Sequence, residues 1–258
     1  MNQTRFLLFL LVAAACCSGP VYSAQREFGK ILDAREGKAL AEDVIAQRPE
    51  KDAVFYGTLK MRDGDGRRRH VPIKYAIKVG DDGWQGVYET QATNGLPAQR
   101  LAIIHKLRQP TQYILTPIAS AGISAPDSSV LRGPDASIPF VGSDYWLSDL
   151  GLEFLHWPDQ RLIKDAKISM RSNRSCKVLE STNPNPTPGD YARVVSWLDA
   201  ESGAPIYVEA YGKDTKLLKI FSLHKFQKVN GRWHPTDLEL RNEKTDSRTS
   251  LQLQFETE

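Results

Sequence analysis

Tyr191-Ala-Arg-Val-Val-Ser-Trp-Leu198, Asp199-Ala-Glu-Ser-Gly203 and Pro205-Ile-Tyr-Val-Glu-Ala-Tyr211 read as strand, turn, strand. The pattern repeats downstream. Gly212-Lys-Asp-Thr215 leads into residues 217–226, Val229-Asn-Gly231 turns the chain into residues 233–240, and Thr245-Asp-Ser247 turns it into residues 249–255. Side chains alternating at period two, cut by Gly, Asn and Asp, predict an antiparallel meander with one buried face. This stretch decides the fold class, and the activity has to come from what the sheet encloses.

Upstream the same signal recurs. Residues 53–62 and 69–79 flank a hairpin tip, Asp63-Gly-Asp-Gly66. Residues 83–91 and 100–108 pair around Thr93-Asn-Gly95, and residues 113–116 look like a further strand. Residues 117–139 then change character, rich in Ala, Ser, Gly and Pro without sustained periodicity, and are expected to form a flap or an interruption in the sheet. Strands resume at 164–170 and 175–181, and Asn183-Pro-Asn-Pro-Thr-Pro-Gly189 breaks the sheet before the meander, for about eleven strands in all.

Two segments are helical in pattern. Between residues 25 and 49, Phe28, Ile31, Leu32, Leu40, Val44 and Ile45 form an apolar stripe that Pro49 stops. In Gly142-Ser-Asp-Tyr-Trp-Leu-Ser-Asp-Leu150, Ser143 or Asp144 is expected to cap, with Asp144 and Asp149 in water. Leu152, Phe154, Leu155 and Trp157 extend the apolar density to Pro158.

The first 23 residues have the layout of a secretory signal: Arg5, an apolar run over 6–15, then small residues up to Ser23. A lipid-modified Cys16 after Ala13-Ala-Ala15 is the rival reading, although the usual Leu or Val three residues before it is missing. Either way the expected product is exported, and residues 24–258 are long enough for one β-rich domain or two; the single-domain, periplasmic reading is what the family resemblance below implies. Removing residues 1–23 leaves 33 basic and 31 acidic side chains, a net of +2 and no electrostatic case for nucleic acid. Cys176 is the sole cysteine of that mature chain, so neither an intrachain disulfide nor a cysteine metal site is expected.

As an enzyme the sequence advertises nothing. His70, His105, His156, His224 and His234 have no metal-binding spacing, and His105 and His224 fall inside strand patterns. Gly122-Ile-Ser-Ala-Pro126 lacks the second glycine of a nucleophile elbow, so Ser124 is not expected to be catalytic. Arg67-Arg-Arg69 follows Asp63-Gly-Asp-Gly66 where calcium ligands would be needed. With Arg62 and His70 these arginines make a basic spot, either a solvated hairpin end or a contact for anionic headgroups or an acidic partner. No phosphate loop and no carboxylate pair placed across a cleft is visible, so no catalytic residue, metal or cofactor is expected.

The informative residues are apolar. About eleven strands present more inward-facing surface than two short helical pieces cover, and such sheets close or half-close around a cavity. Trp84, Tyr88, Ile103, Tyr113, Leu115, Tyr145, Trp146, Leu150, Phe154, Trp157, Trp197 and Tyr207 are candidate lining residues. Together they suit an acyl-chain site, because apolar burial is non-directional and scales with area.

Several pieces resemble the exported outer-membrane lipoprotein-sorting, or LolA-like, proteins. They are residues 142–150, Cys176-Lys-Val-Leu-Glu180, residues 191–199 with Trp-Leu-Asp, residues 205–211 with Leu217-Leu-Lys219, and Trp233-His-Pro-Thr236 with Arg241-Asn242 and Thr249. Their order and spacing are similar to that family across residues 140–255; the N-terminal half matches only in layout. The resemblance implies a mostly β, α+β fold, an unclosed antiparallel barrel wrapped against helices. Its cavity would receive acyl chains of a lipid or lipoprotein, in a periplasmic carrier without catalytic residues that serves a membrane-bound donor or acceptor protein. The insertion at 117–139 departs from the pattern and bears on ligand size. The alternative is a periplasmic interaction or sensor domain with a filled cavity and an exposed edge strand.

Overall fold

The computed structural model describes residues 33–93, 95–106, 109–118, 127–163, 170–171, 174–229 and 232–254. The expected signal, residues 1–23 with Cys16, lies outside them, as do Ser124 and the first part of the expected helix. Among the described residues no helix is long and apolar enough to cross a membrane.

The chain forms helix α1 (residues 33–45), then β1 (Ala53–Arg62), β2 (Arg68–Val79), β3 (Gly83–Thr90), β4 (Gln99–Lys106), β5 (Gln112–Pro117) and β6 (Ser129–Leu131). The 3-10 turns η1 (Gly133–Ala136) and η2 (Phe140–Gly142), the one-turn helix α2 (Leu147–Leu150) and the 3-10 turn η3 (Glu153–His156) follow. The remaining strands are β7 (Asp159–Leu162), β8 (Met170–Arg171), β9 (Arg174–Thr182), β10 (Arg193–Asp199), β11 (Pro205–Tyr211), β12 (Leu217–Val229), β13 (Arg232–Asn242) and β14 (Ser247–Gln254). The 3-10 turns and α2 form a single connecting segment over residues 132–158, here called the plug.

One antiparallel sheet takes the order β6-β5-β4-β3-β2-β1-β14-β13-β12-β11-β10-β9-β7, with β8 paired to β9. Its two edges, β6 and β7, do not pair, so the barrel is unclosed. Fourteen strands exceed the expected count of about eleven chiefly because β6 and β7 are too short to show periodicity; of the strand expected over 164–170, residues 164–169 lie outside the described residues and Met170 begins β8. Among the described residues the two halves of the sheet are hydrogen-bonded to each other only where β1 pairs with β14.

Alternation sorts the side chains. Leu59, Val71, Ile73, Tyr88, Leu101, Ile103 and Tyr113 from the first half share an inner core with Leu240 and Leu251 from the second. The plug runs from edge strand to edge strand and lies on this inner face, where it buries Ala136, Phe140, Val141, Tyr145 and Leu147 in the same core. A second inner cluster joins Phe154 and Leu155 to Leu179, Val194, Leu198, Val208 and Ala210. The plug covers much of the inward surface that the strand count leaves for helices to cover.

Helix α1 bridges the two halves. Ala41 is buried, and Leu40 and Val44 pack beside it, whereas the expected stripe member Ile45 is exposed. The helix approaches β7 backbone to backbone, because a Cβ on Gly37 would fall 2.6 Å from the Arg161 Cα. Past its C-terminus, Gln47 Nε2 donates to the Ser202 carbonyl at 2.8 Å, on the β10–β11 turn. Arg48 donates to the carbonyls of Gly80 and Asp81, on the β2–β3 turn. A bidentate pair from Arg174 to Asp199, at 2.8 and 2.7 Å, fixes β9 to the end of β10. That guanidinium holds the Asp199 carboxyl down at about 2.

Candidate functional site

A buried polar cluster locks the plug onto the sheet. The Lys219 side chain is 5 % exposed and points inward from β12, its Nζ 3.0 Å from Asp149 Oδ2. The ammonium also donates to the Asp144 carbonyl at 2.8 Å and lies 3.6 Å from the centre of the Trp146 ring. Asp149 Oδ2 takes the Trp146 N–H at 2.8 Å, and its Oδ1 takes the Tyr191 hydroxyl at 2.9 Å. Trp146 and Tyr191 stack with ring centres 4.5 Å apart. Asp144 accepts hydroxyl hydrogens from Ser247 and Thr249 on β14.

Asp144 and Asp149 are therefore not the solvated faces of a helix. They are half-buried acceptors whose donors come from Tyr191 just before β10, from β12, from β14 and from the plug itself. Nor does Ser143 or Asp144 cap α2: Asp149 reaches back to the Trp146 N–H instead, and the Ser143 hydroxyl oxygen takes the Tyr145 N–H. Burial lowers the Lys219 pKa, and Asp149 opposes that shift. Burial also raises the Tyr191 hydroxyl well above its ordinary range. A charge pair in so dry a setting gains little net stability, but removing one partner strands the other.

Two neighbouring spaces adjoin this cluster. A slot of about 30 Å³ lies between Leu152 and Phe154 of the plug and Val194, Val208, Phe221 and Leu240 of the sheet. A mouth of about 270 Å³, lined among others by Glu153, Trp157, Asn183, Asn185 and Asp190, shares Asp149, Phe154 and Tyr191 with it. Two plug residues hold the left-handed conformation that glycine favours, Val141 and Leu152, each at φ 51°. For β-branched Val141 this is strained, and burial together with an N–H bond to Gln99 at 3.1 Å holds it there.

Of the twelve candidate lining residues, Phe154 lines both spaces and Trp157 the mouth. Trp146 belongs to the polar cluster, while Tyr88, Ile103, Tyr113, Leu115, Tyr145 and Leu150 pack in the first core. Trp84 stacks on His105 with ring centres 4.1 Å apart, at the far end of β3. Trp197 and Tyr207 are cross-strand partners that alternate away from Val194 and Val208, and they join the cluster of Cys176 and Val178. Reading by residue type missed Lys219, Tyr191 and Asp149. The available signal was a lysine in an otherwise apolar run, Leu217-Leu-Lys-Ile-Phe221, and a carboxylate three residues after Trp146.

Beside the mouth, Glu153 Oε2 accepts the Tyr113 hydroxyl at 2.9 Å, and burial pushes the Glu153 carboxyl up to about 7. Tyr113 fits because Gly151 has no Cβ to meet its ring. His156 Nε2 is 3.0 Å from Thr111 Oγ1, yet Thr111 is 1 % exposed, so that pair offers no accessible nucleophile. Burial lowers both His156 and His105, the latter to about 4. At the tip of the β1–β2 hairpin Arg67 pairs with Asp63 and Asp65, where a cation would need those carboxylates. Among the described residues no group of three His, Cys, Asp or Glu could hold a metal ion.

This architecture, an unclosed antiparallel half-barrel wrapped against helices, is the LolA-like fold. A DUF1329 family protein from Desulfovibrio piger matches at TM-score 0.66 and 18 % identity, over 86 % of this chain and 91 % of that one. An outer membrane lipoprotein-sorting protein domain from Vibrio parahaemolyticus matches at TM-score 0.67 and 19 % identity, over 86 % and 92 %. A LolA superfamily protein from Nitrosomonas europaea matches at TM-score 0.56 and 16 % identity, over 86 % and 92 %. Identities this low establish shared fold alone. A family model described as "uncharacterized protein" matches residues 129–256, from β6 through β14. No curated protein matches the sequence.

Proposed function

We propose that this protein is a non-catalytic periplasmic carrier that shields the acyl chains of a lipid or lipoprotein against the inner face of its sheet. The observation carrying the proposal is the apolar slot between plug and sheet, whose lining residues Phe154 and Tyr191 also line a larger hollow beside it. Sites for drug-sized ligands occupy about 300–1,000 Å³. The closed slot, at about 30 Å³, has room for little more than one water-sized group, so an acyl chain enters only if the plug moves. Leu152, at φ 51° beside the slot, is the natural pivot. The Lys219–Asp149 pair must part or travel with the plug, and a membrane-bound partner would supply and receive the cargo.

The test is native mass spectrometry of protein purified from periplasm without detergent, followed by lipid extraction. A stoichiometric adduct that extracts as lipid supports the carrier. An apo mass, with no uptake of a fluorescent fatty-acid probe, overturns it. The filled inner face would then favour a second reading, an interaction domain whose closed core is permanent.

A further inference from the structure

Four arginines stand in one line on the outer face of the sheet. Arg68 opposes Arg62 across β2 and β1, Arg62 opposes Arg248 across β1 and β14, and Arg248 opposes Arg241 across β14 and β13. They alternate away from Leu59, Thr249, Leu240 and the rest of the inner core, so they project outward. His70 and Lys60, opposite each other, lie in the next row. Strands sit about 4.8 Å apart, so the arginine line spans roughly 14 Å.

The line is concentrated charge in a chain whose overall net is only +3. Arg241 pairs with Glu243 at 3.0 Å, but among the described residues Arg62, Arg68 and Arg248 have no ion pair. Like charges placed directly opposite in a sheet repel. An anionic partner reverses the sign of that cost, and guanidinium forks bind phosphate oxygens two at a time.

We propose that this line is a docking surface for anionic phospholipid headgroups, by which the protein settles on a membrane face. Two shallow hollows flank it, of about 350 and 270 Å³. Their walls carry Lys60, Arg62, Arg68, Arg241 and Arg248 against the three carboxylates Asp237, Glu239 and Asp246, so the basic groups outnumber the acidic ones, and the sole apolar residue among them, Met61, is 5 % exposed. A protein interface would offer an aromatic or apolar anchor at its centre, and none is presented here. The surface suits an array of phosphates and does not depend on whether the interior carries cargo.

The experiment is co-sedimentation of the mature protein with vesicles of phosphatidylcholine containing about a third phosphatidylglycerol, compared with phosphatidylcholine alone. Binding to the anionic vesicles only, weakening as salt is raised, is expected. The double variant R62Q/R248Q should lose affinity about thirtyfold. R62K/R248K should retain most of it, and K78Q/K177Q, removing equal charge elsewhere, should change little. Both arginines point outward, so a circular-dichroism melt should show the variants folded. Equal binding to both vesicle types, no binding, or a K78Q/K177Q loss matching that of R62Q/R248Q overturns the proposal. Retention on immobilised polyglutamate without vesicle binding overturns it in favour of an acidic protein.

Discussion

Replacing Asp149 with alanine removes the acceptor shared by the Lys219 ammonium, the Tyr191 hydroxyl and the Trp146 N–H. The Asp144 carbonyl and two ring faces remain, in a setting where the lysine side chain is 5 % exposed. Breaking a buried pair from one side costs about 3–5 kcal/mol. That is a large share of the roughly 5–15 kcal/mol that holds a domain together. For a domain of this size it lowers Tm by roughly 6–20 °C. The effect has a pH signature. Lys219 already has a lowered pKa, so the unfolded chain binds its proton more tightly than the fold does, and stability rises with pH across the window below the ordinary lysine value. Without Asp149 the window widens, so the deficit of the variant should shrink in alkaline solution. Calorimetry at neutral and alkaline pH reads both effects. The apolar pair K219M/D149L should recover most of the loss, since no charge is left to strand. A loss in D149A below about 1 kcal/mol, or a double variant no better than the single, refutes the reasoning.

Glu153, held near 7 by burial, keeps its proton in the fold where the unfolded chain has lost it. Its contribution is present below 4.5 and lost as pH rises through 7, so E153Q should gain about 1–3 kcal/mol above neutrality and nothing in acid, read from urea melts. His105 behaves oppositely: lowered to about 4, it makes stability fall as pH drops from 6.5 to that value, and H105F should flatten this acid limb. Gly37→Val should push α1 off β7 at a cost of roughly 1–3 kcal/mol. Hydrogen exchange should then rise in residues 33–48 and stay low in β13 and β14. Phe154→Ala should cost about 3–5 kcal/mol and, on the carrier reading, strengthen fatty-acid probe binding by widening the slot; unchanged binding counts against that slot.

The meander was legible because alternation and turn residues act locally. Residues 205–211 and 217–226 follow period two, and their strands stand close to where they were expected. The plug was not legible as a filling element. Phe140 sits in a 3-10 turn, Tyr145 in irregular backbone and Leu147 at the start of the one-turn helix α2, and the direction of so broken a segment follows from the space between two distant sheet edges and not from any period in the sequence. Lys219 was illegible for a related reason. A lysine in a strand reads as an outward position, and only the register of β12 against β11, which sets Lys219 beside Ala210, turns it inward. The arginine line was half visible: Arg62 and the run at 67–69 are adjacent in sequence, whereas Arg241 and Arg248 join them through β1–β14 pairing.

That pairing also governs how the protein can be made. Leu59 opposes Leu251 across nearly the whole length of the chain. During synthesis β1 through β5 can zip together by short hairpins, but the free flank of β1 has no partner until β14 emerges. Until then an unsatisfied edge and a half-built inner face are exposed, the state most prone to pairing with another copy. The slow step of folding should accordingly be the closure of β1 on β14. A Leu251→Ala chain should fold more slowly as well as unfold faster, and should aggregate in refolding at concentrations the parent tolerates.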